Sequence, residues 1–299
     1  MEMRPFWVNF LLVSMATVSL VATPTTAAVG TFVYGGCSQS KYGPGSSYEA
    51  NVNSLLTSLV NSASFTLFYN ATVNFAGYPM LYGLFQCRGD LLSSHCFQCV
   101  SNAVAQMGSL CVDSTGGVFQ LEGCYVKYDN ATFLGIEDKT VVLKKCGQPV
   151  ALDPSELAQR NAQLDFLTAG YASGGDGTYK AFRVNGAGDV YTMAQCVQDM
   201  NGGQCQDCLG EAIGRLKTEC GVSSWGDMYL AKCYVRFNIG GSHSHGGNGG
   251  NDVNRNDDEI EKTLAILIGL IAGISLLIVF LSFLRKLCDN GTRGKGHYC

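Results

Sequence analysis

The residues in this sequence whose type and spacing are most suited to chemistry form two Cys-x2-Cys motifs. They are Cys96–Cys99 and Cys205–Cys208. In a reducing compartment such a motif is typical of a redox dithiol or of half a tetrahedral zinc site. In an oxidising compartment each cysteine is more often a half-cystine whose partner lies elsewhere in the chain. The remaining cysteines and the ends of the chain decide between these interpretations.

The cysteines between positions 37 and 233 fall into two sets of six with identical spacing. The sets are Cys37, Cys87, Cys96, Cys99, Cys111 and Cys124, followed by Cys146, Cys196, Cys205, Cys208, Cys220 and Cys233. Every member recurs at an offset of 109 residues, as do Tyr82, Gln86 and Asp90. This offset predicts a duplicated domain of about 105 residues. It favours structural half-cystines in both copies, although spacing alone leaves 15 pairings open for six cysteines.

The two ends of the chain predict export and one membrane span. An apolar run followed by small residues indicates a signal peptide, with the mature protein beginning near Val29. Leu264 to Leu284 contains no charged residue and as a helix spans ~31 Å, about one hydrocarbon core. Acidic residues precede this run, and Arg285 and Lys286 follow it, so the positive-inside rule places the C-terminus in the cytosol.

These features predict six segments and an α+β fold. The segments are a signal peptide at 1–28, cysteine-rich domains at 29–135 and 136–238, a Gly/Ser/Asn/Asp-rich stalk at 239–262, a transmembrane helix at 263–284 and a cytoplasmic tail at 285–299. Apolar periodicity predicts helices at Ser47–Ser62, Ser93–Met107, Pro154–Thr168 and Gln204–Lys217, with Asp153 as an N-cap. Strands are predicted at Thr31–Tyr34, Thr66–Val73, Met80–Cys87, Val118–Tyr128 and Val141–Lys145. Helices interspersed with hairpins indicate an antiparallel sheet in each domain.

Catalytic and metal chemistry have little support in the sequence. His95 is the only histidine within either domain, and Gln204 replaces it in the second copy, so a Ser-His-Asp arrangement is not expected. His243 and His245 fall in the predicted stalk, where a solvated linker is the simpler interpretation. The net charge of -4 argues against nucleic-acid binding, which needs a clustered basic face. We therefore expect no catalytic residue, metal site or cofactor.

Five further residues are candidates for modification or for contact between membrane helices. Asn70 and Asn130 begin Asn-x-Thr glycan acceptors in the predicted outside segment. Gly269 and Gly273 have the spacing that lets two membrane helices approach closely, although glycine in such a helix is equally often incidental. Cys288, next to the membrane on the cytosolic side, is a palmitoylation candidate.

The repeated Cys-x8-Cys-x2-Cys motif resembles the signature of the ginkbilobin-type, or stress-antifungal, domain. The stretch from Tyr82 to Leu91, YGLFQCRGDL, is similar to the segment that precedes that signature. Two such domains with a signal peptide, one spanning helix and a short tail resemble the plasmodesmata-located proteins. The resemblance implies an antiparallel sheet packed against two helices in each domain. It also implies the disulfides Cys37–Cys111, Cys87–Cys96 and Cys99–Cys124, repeated as Cys146–Cys220, Cys196–Cys205 and Cys208–Cys233.

The resemblance implies a non-enzymatic, receptor-like protein of the plasma membrane at plasmodesmata. Expected roles are control of cell-to-cell traffic through callose deposition, docking of viral movement proteins, and association with itself or with related family members. The alternative is a membrane-tethered lectin that senses wall or microbial polysaccharide. Mannose-binding relatives use an Asn directly after the first cysteine, together with an Arg and a Glu. Here Ser38 and Gly147 follow the first cysteines, and Val118 and Asp227 lie near the position of the Arg, so that mannose site is not expected.

Overall fold

The computed structural model describes residues 29–74, 79–169 and 180–240, all of which belong to one compact unit. The predicted signal peptide, nearly all of the stalk, the membrane helix and the tail lie outside these ranges, and so do Gly269, Gly273 and Cys288. No helix within the three described ranges has both the length and the apolar character needed to cross a membrane.

The first repeat is one five-stranded antiparallel sheet with two helices. Its elements in chain order are β1 (Phe32–Cys37), α1 (Ser47–Ser62), β2 (Phe68–Val73), β3 (Leu81–Cys87), α2 (Ser93–Leu110), β4 (Gly117–Leu121) and β5 (Cys124–Asp129). The strands lie in the order β1-β4-β5-β3-β2, and all neighbouring strands are antiparallel. The edge strands are therefore β1 and β2.

The second repeat has the same topology. Its elements are β6 (Val141–Cys146), α3 (Pro154–Ala169), β7 (Phe182–Ala187), β8 (Val190–Cys196), α4 (Gly202–Glu219), β9 (Trp225–Leu230) and β10 (Cys233–Ile239). The strand order is β6-β9-β10-β8-β7, again antiparallel throughout. The predicted fold class, two tandem stapled domains with a sheet and two helices each, is confirmed.

Local sequence signals explain the helices. The predicted and observed bounds of α1 are identical, because Val52, Leu55 and Leu59 form one buried stripe at helical spacing. Asp153 caps α3 as predicted, since its carboxylate accepts hydrogen bonds from the backbone N–H groups of Ser155 and Glu156 at 2.7 and 2.9 Å.

The prediction of one strand over Val118–Tyr128 is wrong. The segment is the hairpin of β4 and β5, which turns at Glu122 and Gly123. Val29 and the sulfur of Cys99 pack against this turn, and a Cβ on Gly123 would lie 2.8 Å from the Cβ of Val29. Position 123 must therefore be glycine because of contacts with distant parts of the chain. The alternating apolar pattern of the segment does not indicate the turn.

The helices cover one face of each sheet, and disulfides bind the helices to the strands. The bridges are Cys37–Cys111, Cys87–Cys96, Cys99–Cys124, Cys146–Cys220, Cys196–Cys205 and Cys208–Cys233, the same pairs that the resemblance implies. Cys87 and Cys124 are register partners on β3 and β5. Residues three apart on a helix share a face, so Cys96 and Cys99 each bind one of these neighbouring strands. The Cys-x2-Cys motif thus fastens the first two turns of α2 to two inner strands of its sheet.

The N-termini of α2 and α4 lie at equivalent positions but are capped differently. Asn201 caps α4 in a full capping box with Gln204, whereas Leu92 at the start of α2 has no side-chain cap and is exposed. We expect Leu92→Asn to raise the free energy of unfolding by about 0.5–1 kcal/mol, because it supplies an acceptor for the unpaired N–H groups. Urea denaturation measures this change.

The reciprocal substitution is the matched control. Asn201→Leu removes the cap from α4 and should lower the free energy of unfolding by about 0.5–2 kcal/mol. If both substitutions change stability in the same direction, the difference in capping is not the cause.

Candidate interaction surfaces

The sheet faces that point away from the helices pack against each other, and we call this contact between the repeats the seam. Its aromatic members come from both repeats and from the connection between them; they are Tyr34, Tyr125, Phe133, Tyr229 and Tyr234. The rings of Tyr34 and Tyr229 meet edge to face across the seam, with centroids 5.8 Å apart. Such pairs add to the stabilisation that comes from burying their area. The seam therefore removes the second face of each sheet from solvent.

Two equivalent glutamines lie in the middle of the seam. The side-chain amide of Gln195 donates to the carbonyl oxygen of Cys87 in the other repeat at 2.8 Å. The backbone N–H of Gln198 donates to the side-chain oxygen of Gln86 at 3.1 Å. Gln86 and Gln195 are only 5% and 4% exposed, so these bonds satisfy polar groups that would otherwise be costly to bury.

Arg236 joins the repeats at one side of the seam. Its Nε donates to Oδ1 of Asp227 at 2.9 Å, and its Nη2 donates to Oε1 of Glu122 in the first repeat at 3.3 Å. Burial disfavours the charge, but Tyr229, Asp227 and Glu122 hold the pKa of the Arg236 guanidinium well above its ordinary value. The charged group is thus buried together with two carboxylates that stabilise it.

A second ion pair lies at another point of the seam. Lys232 and Asp199 form a salt bridge in which both side chains are 2% exposed. The ammonium also donates to the carbonyl oxygen of Phe133 at 2.9 Å, and the N–H of Gly135 donates to Asp199 at 3.1 Å. Lys127 packs over the Phe133 ring at 4.5 Å, and burial together with the charge of Lys232 lowers the pKa of Lys127. The connection between the repeats is therefore bound to the second repeat.

These charged residues were not predicted as contacts between the repeats, although the repeat itself contains a signal for some of them. Three of them occupy positions at which the two copies differ in charge; the pairs at the 109-residue offset are Val118 and Asp227, Glu122 and Ala231, and Gly123 and Lys232. Arg236 and Asp199 correspond to Lys127 and Asp90, which have the same charge. A comparison of the copies for differences in charge would have found Glu122, Asp227 and Lys232, but neither Arg236 nor Asp199.

The residues predicted as sites are spread over the surface and the core. All twelve cysteines of the two sets are bridged, so the Cys-x2-Cys motifs hold no free thiol. Asn70 is exposed on edge strand β2, and Asn130 is half-buried just after β5. Across residues 29–74, 79–169 and 180–240, no group of three His, Cys, Asp or Glu side chains could hold a metal ion.

The positions of the mannose-reading residues are used for other contacts. A Cβ on Gly147 would lie 2.6 Å from the ring of Trp225, so a larger residue does not fit there without movement. Ser38 is hydrogen-bonded to Thr115 at 3.1 Å, and Asp227 holds Arg236. At these positions neither repeat has the Asn and Arg that the family resemblance implies for a mannose site.

Known proteins share both the domain and its duplication. The salt stress response/antifungal family model matches residues 36–131 and 155–239. Among solved structures, the tandem DUF26 ectodomain of the Arabidopsis thaliana cysteine-rich receptor-like protein PDLP5 has a TM-score of 0.63 at 45% identity. That of PDLP8 has a TM-score of 0.66 at 36% identity. Each match covers 71% of this chain and 100% of the solved chain. The fold is thus that of the tandem DUF26 ectodomains of cysteine-rich receptor-like proteins.

Similarity to curated proteins extends beyond the described ranges. Plasmodesmata-located protein 6 of Arabidopsis thaliana is 54% identical over 286 residues, which cover 94% of this chain and 97% of that protein. Plasmodesmata-located protein 7 of the same species is 49% identical over 283 residues, covering 94% and 91% respectively. The chain belongs to the plasmodesmata-located protein family.

The buried ion pair of the seam predicts a large loss of stability when one partner is removed. Lys232→Met leaves the Asp199 carboxylate buried without its cation, which costs about 3–5 kcal/mol of unfolding free energy. Denaturant titration measures the loss. Lys217→Met is the matched control; its partner Asp165 is largely exposed, so we expect less than about 1 kcal/mol. Equal losses in the two variants would contradict a special role for the seam pair.

The seam tyrosines predict loss of stability at alkaline pH. Burial raises the pKa of Tyr34, Tyr125, Tyr229 and Tyr234 above the ordinary value of about 10. A raised folded-state pKa means that the unfolded chain loses its protons first. Stability should therefore be constant between about pH 7 and 9 and fall as the pH rises above about 10. Denaturant titration across this range, with ultraviolet absorbance to follow tyrosinate, tests this; complete ionisation near pH 10 in the folded protein would contradict it.

Proposed function

We propose that this chain is a non-enzymatic, type I membrane receptor-like protein that resides at plasmodesmata and modulates cell-to-cell trafficking. Its two cysteine-rich repeats lie outside the cell and gather partners, and the predicted helix at 263–284 holds them at the membrane. One observation carries the proposal: the chain is 54% identical to Plasmodesmata-located protein 6 over 94% of its length, which includes sequence beyond the ectodomain.

The seam supports a role as a binding platform. Two domains joined by a linker move relative to each other unless their contact is large and apolar. Here buried aromatic rings, two glutamines and the Arg236–Glu122 ion pair join the repeats, and Lys232 is hydrogen-bonded to the connection between them. The two halves of the surface therefore already have a fixed arrangement. Binding of a partner that contacts both repeats then costs less conformational entropy, because the repeats need not be ordered relative to each other.

The proposal extends to specific partners through the family resemblance. We include association with further copies or related family members, with the machinery of callose synthesis and with viral movement proteins. The glycan acceptors Asn70 and Asn130 and the palmitoylation candidate Cys288 belong to the same proposal, as does the close helix contact through Gly269 and Gly273.

A membrane-tethered lectin is the second candidate function. The mannose-reading residues of the relatives are absent here. An uncharged helix face in the first repeat is the observation that favours it, and its chemistry is argued in the next subsection.

Imaging tests the localisation. A fluorescent protein fused after Cys299 should give spots in the cell wall that coincide with callose stain, because the ectodomain and the membrane segment are both present. A uniform signal along the plasma membrane would contradict the proposal.

The matched control ends before the membrane segment. A fusion after Lys262 retains the signal peptide and both repeats but lacks residues 263–299. We expect it to be secreted and to give no spots. If this shorter fusion marks the same spots, membrane anchoring is not required, and the proposed mode of residence is wrong.

A further inference from the structure

The solvent side of α1 carries a groove that no contact within the described residues fills. It is shallow and wide open to solvent, with a volume of about 340 Å³, and its lining comes from six residues, Ser54, Thr57, Ser58, Asn61, Ser62 and Phe65. The spacing of three and four places these residues on one helix face. The opposite face holds the buried stripe of Val52, Leu55 and Leu59, so the groove is not part of the core.

The groove lies on an uncharged surface, which is unusual for the exposed side of a helix. The only charged residue of α1 is Glu49, and its carboxylate accepts a hydrogen bond from the N–H of Gly45 before the helix begins, at 2.6 Å. The neighbouring helix α2 contains no Asp, Glu, Lys or Arg. By contrast, α4 in the second repeat carries Glu211, Arg215 and Lys217 on its surface. The neutrality is specific to the first repeat.

Phe65 stands at one end of the groove with 86% of its surface exposed. Its own N–H donates to the carbonyl oxygen of Ser62 at 3.0 Å, and the N–H of Thr66 donates to the same oxygen at 3.2 Å. Ala63, two residues earlier, is fully buried. The backbone on both sides of the ring is therefore anchored, and the ring is held out into solvent, where it gains no hydrophobic stabilisation.

The lining combines hydrogen-bonding side chains with one aromatic face. Hydroxyl groups both donate and accept, and the Asn61 amide does the same through separate atoms. Within the described ranges, none of the five polar side chains has a hydrogen-bond partner. A sugar offers the complementary groups, because its hydroxyls donate and accept while its C–H face is apolar and packs on an aromatic ring. Anionic ligands would need Lys or Arg, which the groove lacks.

We propose that this groove binds a neutral hexose oligosaccharide, with Phe65 as the stacking platform and the polar side chains of α1 as hydrogen-bond partners. The proposal rests on the second candidate function, a tethered lectin, and gives that function a location away from the mannose site of its relatives.

Calorimetric titration of the full-length protein in detergent tests the class of ligand. The probes are three hexasaccharides: a β-1,3-glucan, a β-1,4-mannan and an oligogalacturonate. We expect saturable binding of at least one neutral probe and none of the anionic one. Absence of binding by all three probes overturns the ligand class and the lectin function together. Preference for the oligogalacturonate overturns the neutral-ligand proposal and leaves a lectin of another specificity.

Two variants locate the site. Phe65→Ala should weaken binding of the neutral probe by about tenfold or more, with no change in melting temperature because the ring is exposed. Phe166→Ala is the matched control, since Phe166 is an exposed phenylalanine on α3 of the second repeat, and it should leave affinity unchanged. Retained affinity in Phe65→Ala, or equal losses in both, overturns this site while the lectin function stands.

A third variant and a measurement of self-association distinguish a sugar-binding groove from an interface between two copies of the chain. Asn61→Asp introduces a charge at nearly constant size, and we expect it to reduce neutral-sugar affinity as Phe65→Ala does. Sedimentation velocity of the same variants reports self-association. If Phe65→Ala converts a dimer to a monomer and sugar affinity does not change, the occupant of the groove is a second copy of the chain, and the sugar proposal is overturned.

Discussion

An antiparallel sheet with helices on one face has a second face that must meet either water or another apolar surface. In this protein each repeat uses the other for that purpose. The seam buries Tyr125, Tyr229 and Tyr234, and it excludes water from the central residues of both sheets. Without it, each repeat would expose a contiguous apolar patch of the kind that marks an unfilled interface.

The seam also explains where the charged residues lie. A buried charge is costly unless opposite charges or hydrogen bonds compensate it, and in the seam Arg236 with Asp227 and Glu122, and Lys232 with Asp199, occur as complete sets. The Arg236 set joins the second repeat to the first, and the Lys232 set joins it to the connecting segment. These hydrogen bonds and ion pairs require a particular geometry, whereas hydrophobic packing does not. We infer that they select one arrangement of the repeats among the many that would bury similar area.

Because the seam occupies one face of each sheet, the surfaces left for partners are the helical layers and the sheet edges. These two layers differ chemically, since α1 and α2 are almost uncharged while α4 carries salt bridges with Glu211 and Glu219. Duplication therefore produced one scaffold with two distinct outward faces. A platform of this kind can present separate surfaces to separate partners while the disulfides keep each layer attached to its sheet.

The sequence by itself determined the features that depend on local pattern and on the repeat. The 109-residue offset predicted the duplication, the stripe of Val52, Leu55 and Leu59 predicted α1 to the residue, and the doubled cysteine motif indicated the family. Only the tertiary structure decided the β4–β5 turn, the closure of the Gly147 position by Trp225, and the seam with its ion pairs. Glu122 and Arg236 are 114 residues apart in the chain, and periodicity within an element contains no information about such pairs. Local spacing specifies which face of an element is apolar, but the partner of that face depends on how distant elements pack.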